Sequence, residues 1–484
     1  MSERLEEQIR FGLRLLADEV QPPAATRVAF GKPRLLAVAA ALVVIAGAVL
    51  GIVDRSGPSA GPRFLADAFD YRQGGVSYKP GGVSPGNGPV PLYETAQLSA
   101  VSAASRDAAW IVGSVAWRWE GTAWRKVSFP NVGMGALMSV ATIGPRNAWA
   151  TGPTGDGYLL HSRAVIENWN GATWTAARVP GLGPTDLFAI SAAGADDVWA
   201  AGATYRSNRL GRLNPRATQP LLLHWDGAAW RRVALPWERP GVVVDRLAAT
   251  PTGVWAVASG QEEEMPKHVG PAILVEYWNG ERWQSVRAPF GPSDPIAGFG
   301  ATSGQDAWAV GSYAEGGLPE YDASYSHPLA AHWNGERWQV APVPDLPGHN
   351  DSALLDVVAV RPGDAWALGV SEHLTVTKQG FGATIEATQP VALVERWDGR
   401  RWRVTSGSTP EVWGGVGAYD LGLTVAKDGA AWAIVKNYCD NVVIRWTGSA
   451  WTVDPHPRDR QWRPGLPLRI RRRGLPRCAT AARP

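Results

Sequence analysis

The sequence predicts an all-β fold, a seven-bladed β-propeller of four-stranded blades, preceded by a cytoplasmic helix and one transmembrane helix. Two repeated tryptophan phrases and one long apolar run carry that reading. The phrase Trp, polar residue, Gly, two variable residues, Trp is written seven times, at Trp119, Trp169, Trp225, Trp278, Trp333, Trp397 and Trp446. Upstream of each stands a phrase resembling DAWAVG, centred on Trp110, Trp149, Trp199, Trp255, Trp308, Trp366 and Trp432. Together they hold 21 of the 25 tryptophans, so the period defines the fold. The apolar run is Leu35 to Val53, nineteen uncharged residues.

Residues 1–34 form a cytoplasmic segment. Leu5, Ile9, Leu13, Leu16 and Val20 recur on one helical face, and Pro22-Pro23 ends the helix. At 1.5 Å per residue, 35–53 is long enough to cross a hydrocarbon core of about 30 Å. Arg27, Lys32 and Arg34 precede it, which places the N-terminus in the cytoplasm and the remainder outside. A cleaved signal peptide is the alternative, although the charged leader and the apolar run are both long for one. Residues 54–96 form a Gly/Pro-rich tether without apolar periodicity.

Residues 97–454 form the propeller. In each repeat a small, apolar first strand is followed by the DAWAVG-like strand, and the two outer strands flank the turn. Asn-Gly or Asp-Gly between alternating apolar runs is a strong hairpin signal. The flanking tryptophans then share one face, where large rings pack across strands and fill the wedge between blades. The acids before the second-strand Trp (Asp197, Asp306, Asp364, with Asn147) are expected to bond turn backbone, and His224 and His332 read as repeat-position variants.

Connection lengths locate the working surface. From the last Trp of one repeat to the first of the next the spacing is 25 four times, then 28 and 30; between second- and third-strand tryptophans it runs from 9 to 31. Insertions confined to one rim mark a binding face. Those connections hold Tyr158 and His161; Tyr205, Arg206 and Arg209; His268; Tyr313, Tyr321, Asp322, Tyr325 and His327; and His373, the candidate ligand-binding residues.

The net charge of +3 belongs to the tail: residues 455–484 carry nine Arg against one Asp, which leaves 1–454 at −5. That tail reads as basic and disordered. With no basic stripe interleaved with aromatics, the chain is not expected to bind nucleic acid. Two cysteines give no disulfide framework. No phosphate loop, nucleophile elbow, HExxH or CxxC is present, and neither a metal nor a cofactor is expected.

The phrase order resembles kelch repeats and the galactose-oxidase-type propeller over about residues 97–455. Kelch blades have two consecutive glycines where this chain has one (Gly113, Gly152, Gly202, Gly311, Gly369), and blades four and seven have none there. The resemblance implies architecture and no catalytic residue. The ADEV-PP phrase and the basic step into the apolar run resemble N-termini of actinobacterial membrane proteins linked to extracytoplasmic-function sigma factors. The expected function is binding or sensing of an envelope glycan, peptide or protein by a monomer. An envelope glycan hydrolase or oxidase on the same rim is one alternative. Signalling to a cytoplasmic protein partner through residues 2–20 is another.

Overall fold

The computed structural model describes residues 98–129, 136–154, 163–207, 213–237, 240–260, 273–290, 296–318, 323–379, 382–387, 390–405, 421–436 and 441–454. The cytoplasmic helix, the membrane segment, the tether and the basic tail lie outside them. Among the described residues no helix is long and apolar enough to cross a membrane.

Seven four-stranded antiparallel sheets follow one another along the chain, each built from a contiguous segment. The first begins at Leu98–Ser105 and the seventh ends at Trp451–Val453. First strands pack against the first strands of both neighbouring blades, and the seventh blade's meets the first's, so the ring closes around an axis. The sequence expectation of seven four-stranded blades holds. Each meander places first-to-second and third-to-fourth turns on one rim. Second-to-third connections and blade-to-blade crossings lie on the other.

Seven apolar layers alternate with the seven sheets, each shared by two neighbouring blades. Their centres are tryptophans. The second-strand Trp of one blade wedges against the hairpin pair of the next: Trp110 lies 4.9 and 4.7 Å from Trp169 and Trp174, and Trp308 lies 5.0 Å from both Trp397 and Trp402. Trp432 repeats this against Trp119 and Trp124, so one packing rule also closes the ring. Edge-on geometry at these distances adds about 0.5–1.5 kcal/mol per pair beyond area burial.

Each hairpin loop has four residues, and its two tryptophans are register partners, as with Trp169 and Trp174. The turn glycines take φ from 83° to 99°, a region costly for other residues. In blade two the Asn170 carboxamide oxygen accepts the backbone N–H groups of Ala172 (2.9 Å) and Thr173 (3.0 Å), an Asx turn. The lone glycine ending the DAWAVG-like phrase has a different cause: a Cβ on Gly152 would collide with the carbonyl of Ala136, just ahead of the first strand, and one on Gly202 or Gly369 with the first-strand carbonyl of Asp186 or Ala353.

A belt of hydroxyls ties the innermost strands together. Ser102 Oγ accepts Thr142 N–H (2.8 Å), Ser139 Oγ accepts Ile190 N–H (3.1 Å), and Ser191 Oγ accepts Ala249 N–H (2.9 Å). Thr424 Oγ1 accepts Ala103 N–H (2.9 Å) and carries the belt across the closure. Between blades five and six the strands approach so closely that a Cβ on Gly298 would meet Asp356 Cα at 2.6 Å.

Candidate functional site

The acids before the second-strand Trp do something other than the sequence suggested. They bond side chains, not turn backbone. Asp197 Oδ1 accepts His224 Nε2–H (2.8 Å) and Trp199 Nε1–H (2.7 Å), and the His224 ring stacks on Trp199 at 4.1 Å. Asp306 likewise accepts from His332 (2.6 Å), and Asp364 takes a two-pronged contact from Arg396, whose guanidinium lies over Trp366. Burial alone would raise the Asp306 carboxyl, but hydrogen bonds from His332 and Thr302 outweigh it and hold it below the ordinary value. Asp, ring or guanidinium, and Trp thus form a clamp inside the blade. His224 and His332 are structural members of it.

On the rim of second-to-third connections the central strands overrun the outer ones. Blade three extends Asp197–Ser207 and Leu213–Trp225, and blade five Asp306–Leu318 and Ala323–Trp333. Arg206, Tyr313, Tyr325 and His327 are therefore paired strand residues, and Tyr205 lies at a register shift of the same strand, where the sequence expected loops: Tyr313 pairs with His327 and Arg206 with Asn214. Blade six adds a separate hairpin, Leu374–Gln379 with Gly382–Ala387. His373 stands at its base. Tyr158, His161, Arg209, His268, Tyr321 and Asp322 lie outside the described residues.

Tyr205 is half-buried. Burial first, then the charge and hydrogen bond of Asp186, raise its phenol above the ordinary value. In blade five the Tyr313 ring is exposed and lies 5.4 Å from His327. His327 Nδ1 is 3.7 Å from Asp345 Oδ2, an ion-pair distance longer than a hydrogen bond. Beside them Asp351, buried, accepts Ser326 N–H (2.6 Å) and is hydrogen-bonded to Glu372. Burial raises the Asp351 carboxyl against the opposing pull of those bonds and of His327. Asn350 holds the extra hairpin, donating to Leu374 O (2.9 Å) and accepting Leu374 N–H (2.7 Å).

No family model matches this chain, and no curated protein matches it in sequence. Among solved structures it is similar to YCF48 bound to D1 peptide, at 15% identity and a TM-score of 0.42, over 73% of this chain and 93% of that one. It is also similar to YCF48 from Cyanidioschyzon merolae, at 12% identity and a TM-score of 0.41, over 71% and 94% of the two chains. The fucose-specific lectin from Aleuria aurantia gives 13% identity and a TM-score of 0.36, over 65% and 93%. The blade count follows from the strand pairing above and owes nothing to these likenesses.

Asp345, Asp351 and Glu395 were not singled out in the sequence; Glu372 stands beside His373 among the charged residues of the blade-six second-to-third connection. Glu395 could have been, because Glu also stands two residues before the third-strand Trp at Glu167 and Glu276. Asp351 had no such signal: it meets Glu372 through the register that pairs the first two strands of blade six.

Two further features lie at the axis. In the axial channel Arg246 donates from Nε to Ala297 O (2.8 Å) and contacts Asp245 (3.0 Å). Asp356 accepts Leu423 N–H and Val357 N–H, both at 2.8 Å; burial pushes its carboxyl to about 6 despite these bonds and Arg246. These groups join blades four to seven and are committed to one another. On the opposite, tight-turn face the axis opens into a cavity of about 320 Å³ lined by Ala103, Ala193, Ala359 and Val425, with Thr142 and Lys427 as its polar side chains. Thr142 Oγ1 is already engaged with Ser102 O (2.8 Å), so little side-chain chemistry faces this cavity.

Proposed function

We propose that this protein is a membrane-anchored, extracytoplasmic binding module whose ligand, an envelope glycan, peptide or protein, docks on the rim of extended central strands. The observation that carries the reading is the exposed Tyr313 ring against His327, raised on strands that outrun the blade, with Asp345 beside it. A ring on a rigid hairpin offers contact area at low entropic cost. The anchor rests on the apolar run 35–53 and its basic flank. The hydrolase alternative needs two carboxyls about 5–10 Å apart. Asp351 and Glu372 instead share a hydrogen bond, which suits a structural pair.

The test replaces residues 313–327 by a short Gly-Ser turn in the full chain. The expected result is a folded propeller, shown by an unchanged β-sheet circular dichroism spectrum, that no longer retains envelope extract. Retention equal to the parent's would remove the rim from the reading. Deleting 35–53 should release the chain from sedimenting membranes.

A further inference from the structure

The sector between blades five and six gathers several acids. A number of acids elsewhere are met by arginines: Asp226 by Arg231 (2.6 Å), Asp398 by Arg403 (2.5 Å), Asp364 by Arg396 (2.9 Å), and Asp428 by Arg106 (3.3 Å). Here Glu395, Asp345, His327, Asp351 and Glu372 form a continuous series. Asp345 acts on Glu395, His327 on both Asp345 and Asp351, and Asp351 bonds Glu372. None of Asp345, Asp351 and Glu395 meets a Lys or Arg among the described residues.

Asp351 is buried and bonded to Glu372, and burial raises its carboxyl. Asp345 presents its carboxylate on a side chain 43% exposed. Beneath it Glu395 is wholly buried, and neither of its oxygens has a hydrogen-bond partner. At the outer edge stands the Tyr313 ring, 36% exposed.

Resting on the rim reading above, we propose that this sector is a cation-recognising subsite that takes the ammonium or guanidinium group of a Lys or Arg side chain in an extended basic peptide. An aromatic face beside an exposed carboxylate met by a histidine and by no Lys or Arg among the described residues is the arrangement such a group rewards. The ring quadrupole attracts the cation, and Asp345 completes a charge-assisted hydrogen bond. A neutral sugar would use the ring and gain nothing from the charge. The peptide is favoured over a small amine because the blade-six hairpin stands as a two-stranded sheet, with no further strand on either edge among the described residues. Such an edge can pair with an extended backbone.

The experiment measures affinity of the full chain in detergent micelles for a fluorescent Lys-Ala-Lys-Ala-Lys peptide at low and physiological salt. Its Lys→Gln and Lys→Glu counterparts and a chitosan oligomer are measured beside it. The Lys peptide should bind at least about tenfold more tightly than the Gln form, and the Glu form should not bind. Asp345→Asn and Tyr313→Ala should each weaken the Lys peptide about five- to tenfold. Glu336→Gln, on the tight-turn rim, should leave it unchanged. Equal affinity for the Gln peptide, or an indifferent Asp345→Asn, overturns the subsite. Preferential binding of chitosan overturns the peptide and makes the ligand an amino sugar. Where envelope extract is still lost on replacing 313–327, the rim reading survives that failure; where it is not lost, the rim reading fails with it.

Discussion

Glu167, Glu276 and Glu395 occupy one repeat position on alternate blades, where the other four blades place Trp117, Leu223, Ala331 and Ile444. All three acids are buried. Glu276 is served by Trp237 Nε1–H (2.9 Å) and Ser285 Oγ–H (2.6 Å); Glu167 and Glu395 have no such partners. Burial lifts Glu167 to about 7; burial, with the nearby charge of Asp345, lifts Glu395 to about 8. A carboxyl whose folded value lies above its unfolded value binds its proton more tightly when folded. Its contribution to stability is therefore lost as pH rises from about 4.5 to about 8. Glu395→Gln should leave the urea midpoint nearly unchanged at pH 5 and raise stability by roughly 2–4 kcal/mol at pH 9. A variant that loses stability equally at both pH values would refute that account. The signal was present in the sequence as a period. It was masked because a charged residue next to a strand's end is ordinarily read as facing water. The glycine ending the DAWAVG-like phrase was legible, but its cause, a carbonyl in the place of a Cβ, needed coordinates. Gly202→Ala should cost about 1–3 kcal/mol in chemical denaturation, because backbone must move.

Among the elements, the hairpins were the most readable and the extensions the least. A Trp every five residues around a Gly turn gives the outer pair directly. By contrast, long second-to-third spacings look like loops when their residues are Tyr, Ser, His and Glu. They prove to be strands because backbone pairing continues beyond the fourth strand, and short-range composition cannot distinguish the two. The extra blade-six hairpin depends on one side chain. Isolated two-stranded hairpins are marginal, and Asn350 supplies both bonds that fix its first residue. Asn350→Ala should speed amide exchange of 374–379 by about ten- to a hundredfold while the seven blades keep theirs, read by hydrogen–deuterium exchange.

At the scale of the molecule, the seven-fold repetition was plain in the sequence, and ring closure was implied by it. The means of closure were not. Asp454, just past the last strand and almost fully buried, accepts the indole N–H groups of Trp124 (3.2 Å) and Trp432 (3.3 Å), with Arg445 at 3.8 Å. Arg445 also reaches across the junction to lie 5.3 Å above Trp119. Nothing in a single repeat announces a residue that serves two blades. Asp454→Ala leaves two buried donors without an acceptor and should destabilise the propeller by about 2–3 kcal/mol. Asp454→Asn, which keeps an acceptor oxygen, should recover part of it. An unchanged thermal midpoint in the alanine variant would place closure in the tryptophan layer alone.

Among the described residues no strand is exchanged between the first and last blades, and this matters while the chain is being made. The first blade's outer face, with Leu98, Ile111, Trp119 and Trp124, is covered by Trp432, Ile434 and Val443 of the last blade. Trp124 and its acceptor are 330 residues apart in sequence. At about 5–20 residues per second of synthesis, that apolar face stands uncovered for tens of seconds, longer than six blades need to form. A nascent chain therefore carries a sticky, half-finished disc whose natural mate is the open end of another copy. Expression at high density should give end-to-end oligomers from any chain stopped before the seventh blade.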